Sequence, residues 1–547
     1  MGGEKEETSS KPAFDVGAAS ELVGKLRGAF ASGKTRSYQW RESQLKGLLK
    51  MTEEHEQEIA DALHSDLAKP ELESYIYESI RLFSITVNES KSSPENPKRI
   101  FPLASDPKSW ISPVSADSSF DVTPTELFSL VKAAMLKNSC RLALKELKRW
   151  MVPEKAKTSL TTFPSSAEIV PEPLGVVLII SAWNYPYLLS LDPVVGAIAA
   201  GNALVLKPSE IAPATSSLLA KLMGEYLDTS CIRVVEGAVP ETTALLEQKW
   251  DKIFYTGNGK IGRIIMAAAA KHLTPVALEL GGKSPVVVDS GIDLKVSCRR
   301  IIAGKWGCNN GQACISPDYV ITTREHAPKV VDALKQELEK FYGKNPLESK
   351  DLSRIVNSNH FFRLSKLLDD DKVSGKVVHG GEKDQSKLRI APTLLLDVPR
   401  DALIMQEEIF GPLLPILTVD KIEDSFDVIN SGMKPLAAYL FTNNKKLREE
   451  FVMSVSAGGL VVNDTTVHLA ILSLPFGGVG ESGIGAYHGK FSFDAFSHKK
   501  AVVYRGFMGD AAIRYPPYTK MKLRLLKALI TGNFFAIIRA IFGLSKD

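Results

Sequence analysis

The chain has 547 residues, of which 44% are hydrophobic, and its formal net charge is +4. Because single hydrophobic cores stop growing at about 250 to 300 residues, this length predicts two domains. A nearly balanced charge without a long basic run excludes the usual nucleic-acid-binding and polybasic membrane-binding proteins and favours small-molecule chemistry. Five cysteines are too few for a disulfide framework, so we expect a reducing compartment.

The first part of the chain is polar and then helical. Residues 1–14 (MGGEKEETSSKPAF) are acidic and lack the features of a signal or transit peptide, which predicts a cytoplasmic location. Apolar residues recur every three or four positions from about residue 15 to 80 and again from about residue 135, which is the pattern of amphipathic helices. Residues 81–134 are rich in Ser and Pro, a composition that predicts a disordered surface insertion between these helices.

Short β-rich runs alternate with helical ones beyond Glu172, starting with GVVLIISAWN and NALVLKPSE. This alternation predicts an α/β fold with doubly wound parallel sheets. The first series gives a domain over residues 12–280, interrupted by the insertion, and a second series gives a domain over residues 281–462. Residues 158–171 and 496–505 are β-like and lie outside both series, so we expect them to pair as a small projecting sheet that serves oligomerisation.

The C-terminal tail, residues 515–547, has basic residues that lead into an apolar run from Phe534 to Leu544, broken by Arg539. A span of a bilayer needs about 20 apolar residues, so this run is too short to cross one. Two readings stay open, a helix packed on its own protein and reversible contact with an endomembrane surface.

Cys314 is the strongest candidate nucleophile, because it lies in the loop NNGQACISP between a helix and the predicted strand DYVITT. A thiolate there attacks a carbonyl carbon once its proton has been removed. Glu279 in LELGGKSP ends an apolar strand and suits a general base whose pKa is raised by burial. Asn184 in SAWNYP ends another strand, where its side-chain N–H and the backbone N–H of Cys314 can hold an oxyanion. Singly, each residue also has a purely structural interpretation.

A cofactor site is indicated at two further strand ends. Lys207 and Glu210 follow a strand in LKPSE, where they suit the ribose and phosphate groups of a dinucleotide. Gly257 and Gly262 bracket a strand-to-helix turn in FYTGNGKIG, where backbone can approach a pyrophosphate. The spacing is G-x-x-x-x-G, not the usual G-x-G-x-x-G, so it is weak evidence alone. No Cys/His grouping in the sequence has the spacing of metal ligands.

Seven motifs, read together, resemble the aldehyde dehydrogenase superfamily in order and spacing: SAWNYP, LKPSE, FYTGNGKIG, LELGGKSP, GQACISP, EEIFGP and PFGGVGESGIG. The sequence is similar to the class 3 (family 3) branch, and details such as GCNNGQAC resemble its plant members. The resemblance implies a homodimer that oxidises aliphatic or aromatic aldehydes to carboxylic acids, with a role in aldehyde detoxification under stress. It implies NAD as the preferred cofactor and NADP as an alternative.

The resemblance also implies residue roles. Cys314 forms a thiohemiacetal and then a thioester, Asn184 holds the oxyanion, and Glu279 activates the hydrolytic water. Glu408 and Phe410 of EEIFGP match the positions that hold the nicotinamide ribose and ring. The remaining matches fall on the adenosine and phosphate side: Trp183, Lys207, Glu210, Gly257 and Gly262.

Cys308 lies six residues before Cys314. It is either a buried structural thiol or a redox partner that protects Cys314 from irreversible oxidation. His468 and His488 are expected to be loop or packing residues. Two other functions stay open at this point, a cofactor-independent cysteine esterase or thioesterase and an inactive structural homologue.

Overall fold

The computed structural model describes residues 14–70, 134–159, 162, 164–508, 510, 512–532 and 534–541. The acidic start, residues 1–13, and the predicted insertion, apart from Ala134, lie outside the described residues. Ala134 itself begins a helix, so the helical pattern resumes where the sequence predicts.

Helices at the start of the chain pack on the first sheet and on each other. Asp15 caps the first of them by accepting a hydrogen bond from the Ala18 backbone N–H at 2.8 Å. Up to the first sheet they are α1 (Val16–Ala31), α2 (Tyr38–Glu54), α3 (Glu56–Leu67) and α4 (Ala134–Met151). Helices α2 and α4 pack together through apolar stripes that include Leu48, Leu136 and Cys140, all of them buried.

The first large sheet has the strand order β17-β7-β6-β3-β4-β5. Its strands are β3 (Val176–Ile180), β4 (Ala203–Lys207), β5 (Ile232–Val234), β6 (Lys252–Thr256), β7 (Val276–Glu279) and β17 (Gly483–Ile484). All are parallel except β17, which pairs antiparallel with β7. The alternating helices are α5 (Pro186–Ala200), α6 (Pro213–Tyr226), α7 (Val239–Leu246) and α8 (Gly259–Ala270). The five parallel strands place their carboxyl ends at one edge, at Ile180, Lys207, Val234, Thr256 and Glu279.

The second large sheet has the order β10-β13-β14-β9-β8-β15-β16 and is parallel except for β10. Its strands are β8 (Pro285–Val288), β9 (Tyr319–Thr323), β10 (Val377–His379), β13 (Thr393–Leu396), β14 (Leu413–Val419), β15 (Ala437–Phe441) and β16 (Gly459–Val462). A short pair, β11 (Lys383–Asp384) and β12 (Arg389–Ile390), lies beside it. The helices are α9 (Leu294–Lys305), α10 (Ala327–Tyr342), α11 (Ser358–Asp369), α12 (Leu403–Gln406), α13 (Asp424–Asn430) and α14 (Lys445–Ser454). The predicted α/β class is confirmed.

The chain after residue 462 returns to the first sheet. Strand β17 joins its edge, and α15 (Gly489–Ala495) packs against α4 and α5. The motif LELGGKSP runs directly from β7 of the first sheet to β8 of the second, so Glu279 lies between the two sheets.

A small third sheet has the order β1-β2-β18. Strand β2 (Ser166–Pro173) pairs antiparallel with β18 (Ser497–Tyr504), and β1 (Glu154–Ala156) lies on the other side of β2. Strand β2 starts at Ser166, later than the predicted segment 158–171, because Pro164 and Ser165 lie in the turn that precedes it. Strand β18 has an unpaired edge in the described chain, and most of its side chains are exposed.

Two helices end the described chain, α16 (Lys520–Ile530) and α17 (Phe534–Ile541), and they pack against each other. Ala528 is the single buried side chain of α16. Large apolar side chains of both helices are exposed, namely Met521, Leu523, Leu526, Ile530, Phe534, Phe535 and Ile538. The reading of a tail packed on its own protein is therefore not what the structure shows. No helix within the described ranges is long and apolar enough to cross a membrane.

Candidate active site

The loop that carries Cys314 is held in an unusual backbone conformation. Three consecutive residues after α9, Asn309, Asn310 and Gly311, have positive φ angles of 50°, 51° and 82°. Asparagine and glycine tolerate this left-handed region better than other residues, which explains their sequence in this loop. A Cβ atom on Gly311 would approach the Gly411 carbonyl oxygen to 2.2 Å. The nucleophile loop therefore packs directly on the EEIFGP loop.

Asn184 is joined to the same loop by hydrogen bonds in both directions. Its side-chain N–H donates to the Gln312 carbonyl at 3.1 Å, and its own carbonyl accepts from the Asn309 side chain at 3.0 Å. Gln312 in turn donates to the Arg354 carbonyl and accepts from the Val356 N–H. Since an amide nitrogen carries two hydrogens, Asn184 keeps a second N–H for a ligand. The structure thus brings the predicted oxyanion donor and the predicted nucleophile together.

The Cys314 thiol is partly buried and faces negative charge. Burial raises its pKa, and the carboxylates of Glu408 and Glu279 raise it further. The hydrogen bond from its own backbone N–H lowers the pKa only in part, and the net shift is upward. The thiol is therefore neutral at rest, and its proton must leave during the reaction.

Glu279 ends β7, and its side chain is 3% exposed. Neither carboxylate oxygen has a hydrogen-bond partner among the described residues. Burial raises the pKa of this carboxyl well above its ordinary value. Its backbone is fixed, because the Gly257 N–H donates to the Glu279 carbonyl at 3.0 Å. An unpartnered carboxyl of this kind is suited to carry and release a proton.

Glu408 is a second buried carboxyl that acts on the Cys314 thiol, and it lies in the EEIFGP loop. A Cβ atom on Gly281 would meet its carboxylate at 2.2 Å, which places Glu408 against the segment that follows Glu279. Burial raises the pKa of Glu408 to about 8, and the Asp318 carboxylate adds to the rise. Asp318 accepts a hydrogen bond from the Ile409 N–H at 3.0 Å.

Two cations secure this loop, and the sequence analysis did not identify either. Lys283 donates to Asp318 at 2.5 Å, to the Ile404 carbonyl at 2.8 Å and to the Glu407 carbonyl at 3.0 Å. Arg363 on α11 bonds Glu407, the Glu408 carbonyl and the Ile409 carbonyl. Lys283 lies inside LELGGKSP, so the motif contained a signal for it, whereas Arg363 lies in a helix without a motif.

Three aromatic side chains form a group beside Asn184. The Trp183 ring lies 5.4 Å from the Phe410 ring and 5.2 Å from His360, centroid to centroid. Phe410 has a φ of 50°, so the loop turns sharply at this residue. Burial lowers the pKa of His360 to about 4, which keeps the ring neutral. His360 was not predicted, because its position on α11 reveals nothing of its contact with Trp183.

The predicted adenosine-side residues lie at the carboxyl edge of the first sheet. Lys207 ends β4 and forms an ion pair with Glu210 at 2.6 Å, with the lysine buried and the glutamate about 40% exposed. Gly257 follows β6, and Asn258 caps α8 by accepting from the Ile261 N–H. Gly262 lies within α8, where a Cβ atom would meet Leu280 at 3.1 Å, so its effect is close packing of the helix.

The observations on this edge fit a dinucleotide. Backbone N–H groups at the start of α8 and the ammonium group of Lys207 suit phosphates, and the Glu210 carboxylate suits ribose hydroxyls. None of the contacts found joins Lys207 or Glu210 directly to Cys314. The two groups share the carboxyl edge of one sheet, and the Ser181 N–H donates to the Lys207 carbonyl at 3.1 Å.

Lys305, at the end of α9, is a further buried group that the sequence analysis missed. Its side chain is fully buried, and its amine has no hydrogen-bond partner within the part of the chain that the structure describes. Burial lowers its pKa to about 8. A lysine in the last turn of a helix is common, so the sequence contained no signal.

The remaining candidates lie close to the site. Cys308 is buried and immediately precedes the turn Asn309–Gly311. His488 pairs with Asp192 at 3.6 Å, and both His468 and His488 stack on Phe476, so these histidines have the predicted packing role. Across residues 14–70, 134–159 and the later described ranges, no group of His, Cys, Asp and Glu side chains could hold a metal ion.

Comparison with known proteins identifies the family. The model of the aldehyde dehydrogenase family matches residues 132–502. Aldehyde dehydrogenase family 3 member H1 of Arabidopsis thaliana is 64% identical and covers 98% of this chain and 100% of its own length. The chloroplastic family 3 member I1 of the same plant is 59% identical, covering 98% of this chain and 87% of its own.

More distant relatives agree. The dimeric, NADP-preferring aldehyde dehydrogenase of Rattus norvegicus is 42% identical, over 92% of this chain and 98% of its own. The substrate-bound structure of Staphylococcus aureus AldH superposes with a TM-score of 0.81 at 36% identity, covering 93% of this chain and 99% of that one. The chain therefore belongs to the aldehyde dehydrogenase family, in its family 3 group, and is an enzyme that oxidises aldehydes.

Proposed function

We propose that Cys314, Glu279 and Asn184 are the catalytic residues of an NAD(P)-dependent aldehyde dehydrogenase that converts aliphatic or aromatic aldehydes to carboxylic acids. The observation that carries the proposal is the meeting of three unlike groups between two sheets. A partly buried thiol, a buried carboxyl without partners and a side-chain amide lie around one loop.

Attack on the aldehyde begins with loss of the thiol proton. Because burial and two carboxylates raise the pKa of Cys314, the proton leaves as the bond between sulfur and the carbonyl carbon forms. This proton passes to solvent water, which leaves Glu279 ionised for the later hydrolysis step. The carbonyl oxygen becomes an oxyanion, which accepts hydrogen bonds from the second N–H of Asn184 and the backbone N–H of Cys314.

Two groups of residues would hold the cofactor. Glu408 and Phe410 would hold the nicotinamide ribose and ring, and the adenosine and phosphate side would be held by Trp183, Lys207, Glu210, Gly257 and Gly262. When bound, NAD(P)⁺ supplies an acceptor for the hydride that leaves the carbon attached to Cys314. The chain positions that carbon through the bond to sulfur and through Asn184.

Hydrolysis then releases the acid. The carbon attached to Cys314 is now a thioester, and Glu279 takes a proton from the water that attacks it. The bond to sulfur breaks, the sulfur takes from Glu279 the proton that came from water, and the carboxylic acid leaves. The overall change consumes one aldehyde, one water and one NAD(P)⁺, and gives one acid, one NAD(P)H and one proton.

We further propose that NAD is preferred and that NADP is also used. The Glu210 carboxylate repels a ribose 2′-phosphate, and Lys207 beside it offsets part of this repulsion. Substituting Glu210→Gln is expected to lower the KM for NADP by about tenfold, because one like charge is removed. The KM for NAD changes less. An unchanged ratio of the two KM values would contradict this role.

The central test is oxidation of a panel of aliphatic and aromatic aldehydes, followed by the absorbance of reduced nicotinamide. Cys314→Ser is expected to lose at least about 10⁴-fold in kcat, as removal of a catalytic nucleophile does elsewhere. Cys298→Ser is the matched control, since Cys298 is buried in α9 away from the loop. Sustained ester hydrolysis without cofactor reduction would favour a cofactor-independent esterase. No turnover by the wild type would favour an inactive homologue.

We propose a homodimer that forms through the third sheet. Strand β18 exposes Val503 and Tyr504 and has an unpaired edge in the described chain, which suits pairing with another strand. The rat relative is named as dimeric. Sedimentation equilibrium is expected to give twice the chain mass, and the Val503→Asp, Tyr504→Lys variant is expected to shift the mass towards the monomer.

We propose a cytoplasmic location with reversible contact between the tail and an endomembrane surface. None of the five cysteines, all of which the structure describes, forms a disulfide, which suits a reducing compartment. Exposed apolar side chains on α16 and α17 lie among basic residues such as Lys520 and Lys522. Cosedimentation with vesicles that contain phosphatidylserine tests the contact, with Phe534→Ser, Phe535→Ser as the variant expected to lose it. Cell fractionation tests the location.

A further inference from the structure

A cavity lies behind the Glu408 loop, and Cys314 does not line it. Its volume is about 480 Å³, within the range of small-molecule sites. It lies beside the first residue of β9, Tyr319, and the segment from α13 to β15. Lys283 lines its inner end, and Met405 and Gln406 of α12 line the side that leads into the Glu408 loop.

Two polar groups of this cavity are available to a ligand. Tyr319 is 6% exposed, and its hydroxyl forms no hydrogen bond with any residue that the structure describes. The exposed guanidinium of Arg400 takes part in no ion pair within the described ranges. Burial and Asp318 raise the pKa of Tyr319, and the positive charge of Arg400 opposes the rise, so the two groups interact electrostatically.

Lys283 does not compete for the same ligand. All three of its N–H donors are taken, by Asp318 and by the carbonyls of Ile404 and Glu407. The cation that faces the cavity without a partner is therefore Arg400, at the outer end, with the Tyr319 hydroxyl deeper inside.

The rest of the lining is mainly apolar. Five apolar residues line it, namely Met405, Leu417, Val428, Ile429 and Met433. A ligand that satisfies this lining has an apolar body and one small anionic group. A carboxylate suits both polar groups, because it accepts bidentate hydrogen bonds from a guanidinium and a further one from a hydroxyl.

We propose that this cavity binds a monocarboxylate with an apolar body, with its carboxylate at Arg400 and Tyr319. The acid product of the reaction belongs to this chemical class, and this part of the inference rests on the proposed function. The cavity would then let product slow the enzyme from outside the active site.

The connection to the active site runs through backbone. Met405 and Gln406 directly precede Glu407 and Glu408. Lys283 donates to the carbonyls of Ile404 and Glu407, the residues on either side of Met405 and Gln406. A ligand packed against Met405 therefore changes the position of the Glu408 loop without touching the aldehyde. The expected kinetic signature is an inhibition that added aldehyde does not overcome.

Octanoate is the probe for the experiment, and octanamide is its uncharged counterpart. The variants are Arg400→Gln and Tyr319→Phe. Arg324→Gln is the matched control, because Arg324 is an exposed arginine just beyond the other end of β9 and does not line the cavity. Calorimetry measures binding of octanoate to the full chain, and steady-state kinetics measures its inhibition of aldehyde oxidation.

We expect octanoate to inhibit with a component that is noncompetitive against aldehyde. Arg400→Gln weakens that component roughly tenfold, the value of one charged hydrogen bond, and Tyr319→Phe weakens it less. Octanamide and Arg324→Gln show no such effect. The proposal is overturned if inhibition is purely competitive, or if octanoate binding is unchanged in both variants. It is also overturned if Arg400→Gln alters only the mass of the oligomer, which would show that a second copy covers the cavity.

The two proposals fail in different ways. If the wild type oxidises no aldehyde but binds octanoate in a manner that depends on Arg400, the proposed function is wrong and the cavity site stands. If aldehydes are oxidised and octanoate binding ignores Arg400, the cavity site is wrong and the proposed function stands.

Discussion

Glu279 and Glu408 are two buried acidic residues near Cys314, and they are held in different ways. Glu279 ends a buried strand, and its carboxylate has no partner among the described residues. Glu408 lies in an irregular loop whose neighbours are tied down by Lys283, Asp318 and Arg363. Both carboxyls have raised pKa values through burial.

The difference suits the two proposed roles, proton transfer for Glu279 and ligand placement for Glu408. A carboxyl that must gain and lose a proton is better left without ion pairs, because a strong partner would fix one protonation state. Its position comes from the rigid strand. A carboxyl that must hold a ligand is better placed on a braced loop, where several hydrogen bonds set its geometry.

Glu279→Gln gives the largest expected effect. We expect kcat to fall roughly a thousandfold, because a general base typically contributes this much. Thioester formed on Cys314 then accumulates, since its hydrolysis is blocked, and intact-protein mass spectrometry detects the added acyl group. A variant that turns over normally, or one that loses activity without acyl enzyme, would show that Glu279 is not the base for hydrolysis.

Glu408→Gln is the partner experiment and has a smaller expected effect. The loop loses a charge but keeps its hydrogen bonds to Arg363 and Asp318, so kcat falls by about tenfold to a hundredfold through poorer placement of the reacting groups. The KM for NAD rises, and acyl enzyme does not accumulate. Equal acyl accumulation in the Glu279 and Glu408 variants would break the distinction between the two acids.

The dependence of stability on pH tests whether the Glu279 carboxyl is buried without a hydrogen-bond partner. Its folded pKa is raised above the ordinary value of 4.5, so the folded state keeps a proton that the unfolded state releases. The contribution of this group to the free energy of unfolding is therefore fully present below about pH 4.5. It is lost as the pH rises from there towards the folded pKa. Urea unfolding at pH 5 and at pH 8 measures this effect. Between these two pH values, the free energy of unfolding is expected to fall less for Glu279→Gln than for the wild type. An equal change in the free energy of unfolding for the variant and the wild type would contradict the burial of Glu279 without a partner.

Cys308→Ser has the smallest expected effect on kcat under ordinary assay conditions. Cys308 is buried beside the nucleophile loop, and it raises the pKa of Cys314 slightly through its own charge when ionised. We expect kcat within about twofold of the wild type, because the side chain keeps its size. After treatment with hydrogen peroxide, inactivation is expected to be faster or less reversible by thiols. Identical inactivation in the two proteins would leave Cys308 with a structural role.

The sequence predicted the sheets well because their strands are short apolar runs separated by helices. Strands β3 and β4 are buried along their whole length, so their composition is distinctive. Glu279 and Asn184 were predicted for a related reason, since each is a polar residue close after such a run. The position of a residue at the end of a strand can be read from the chain itself.

The contacts of the Glu408 loop could not be read in this way. Arg363 and Asp318 reach the loop from 44 and 91 residues away in sequence, through side chains whose direction depends on packing. Lys305 shows the same limit, because nothing in α9 distinguishes a lysine that is fully buried from one at the surface. The net rise in the pKa of Cys314 likewise depends on burial and on two carboxylates that only the folded chain brings near the thiol.

The approach of Gly311 to the carbonyl of Gly411 has a consequence for engineering the enzyme. A side chain at residue 311 would collide with backbone one hundred positions later, so the nucleophile loop and the loop with Glu408 can only be redesigned as a pair. Libraries that aim to change substrate range while keeping activity should hold both glycines constant. Recombination with a relative should place no crossover between these two loops, so that both are inherited from the same parent.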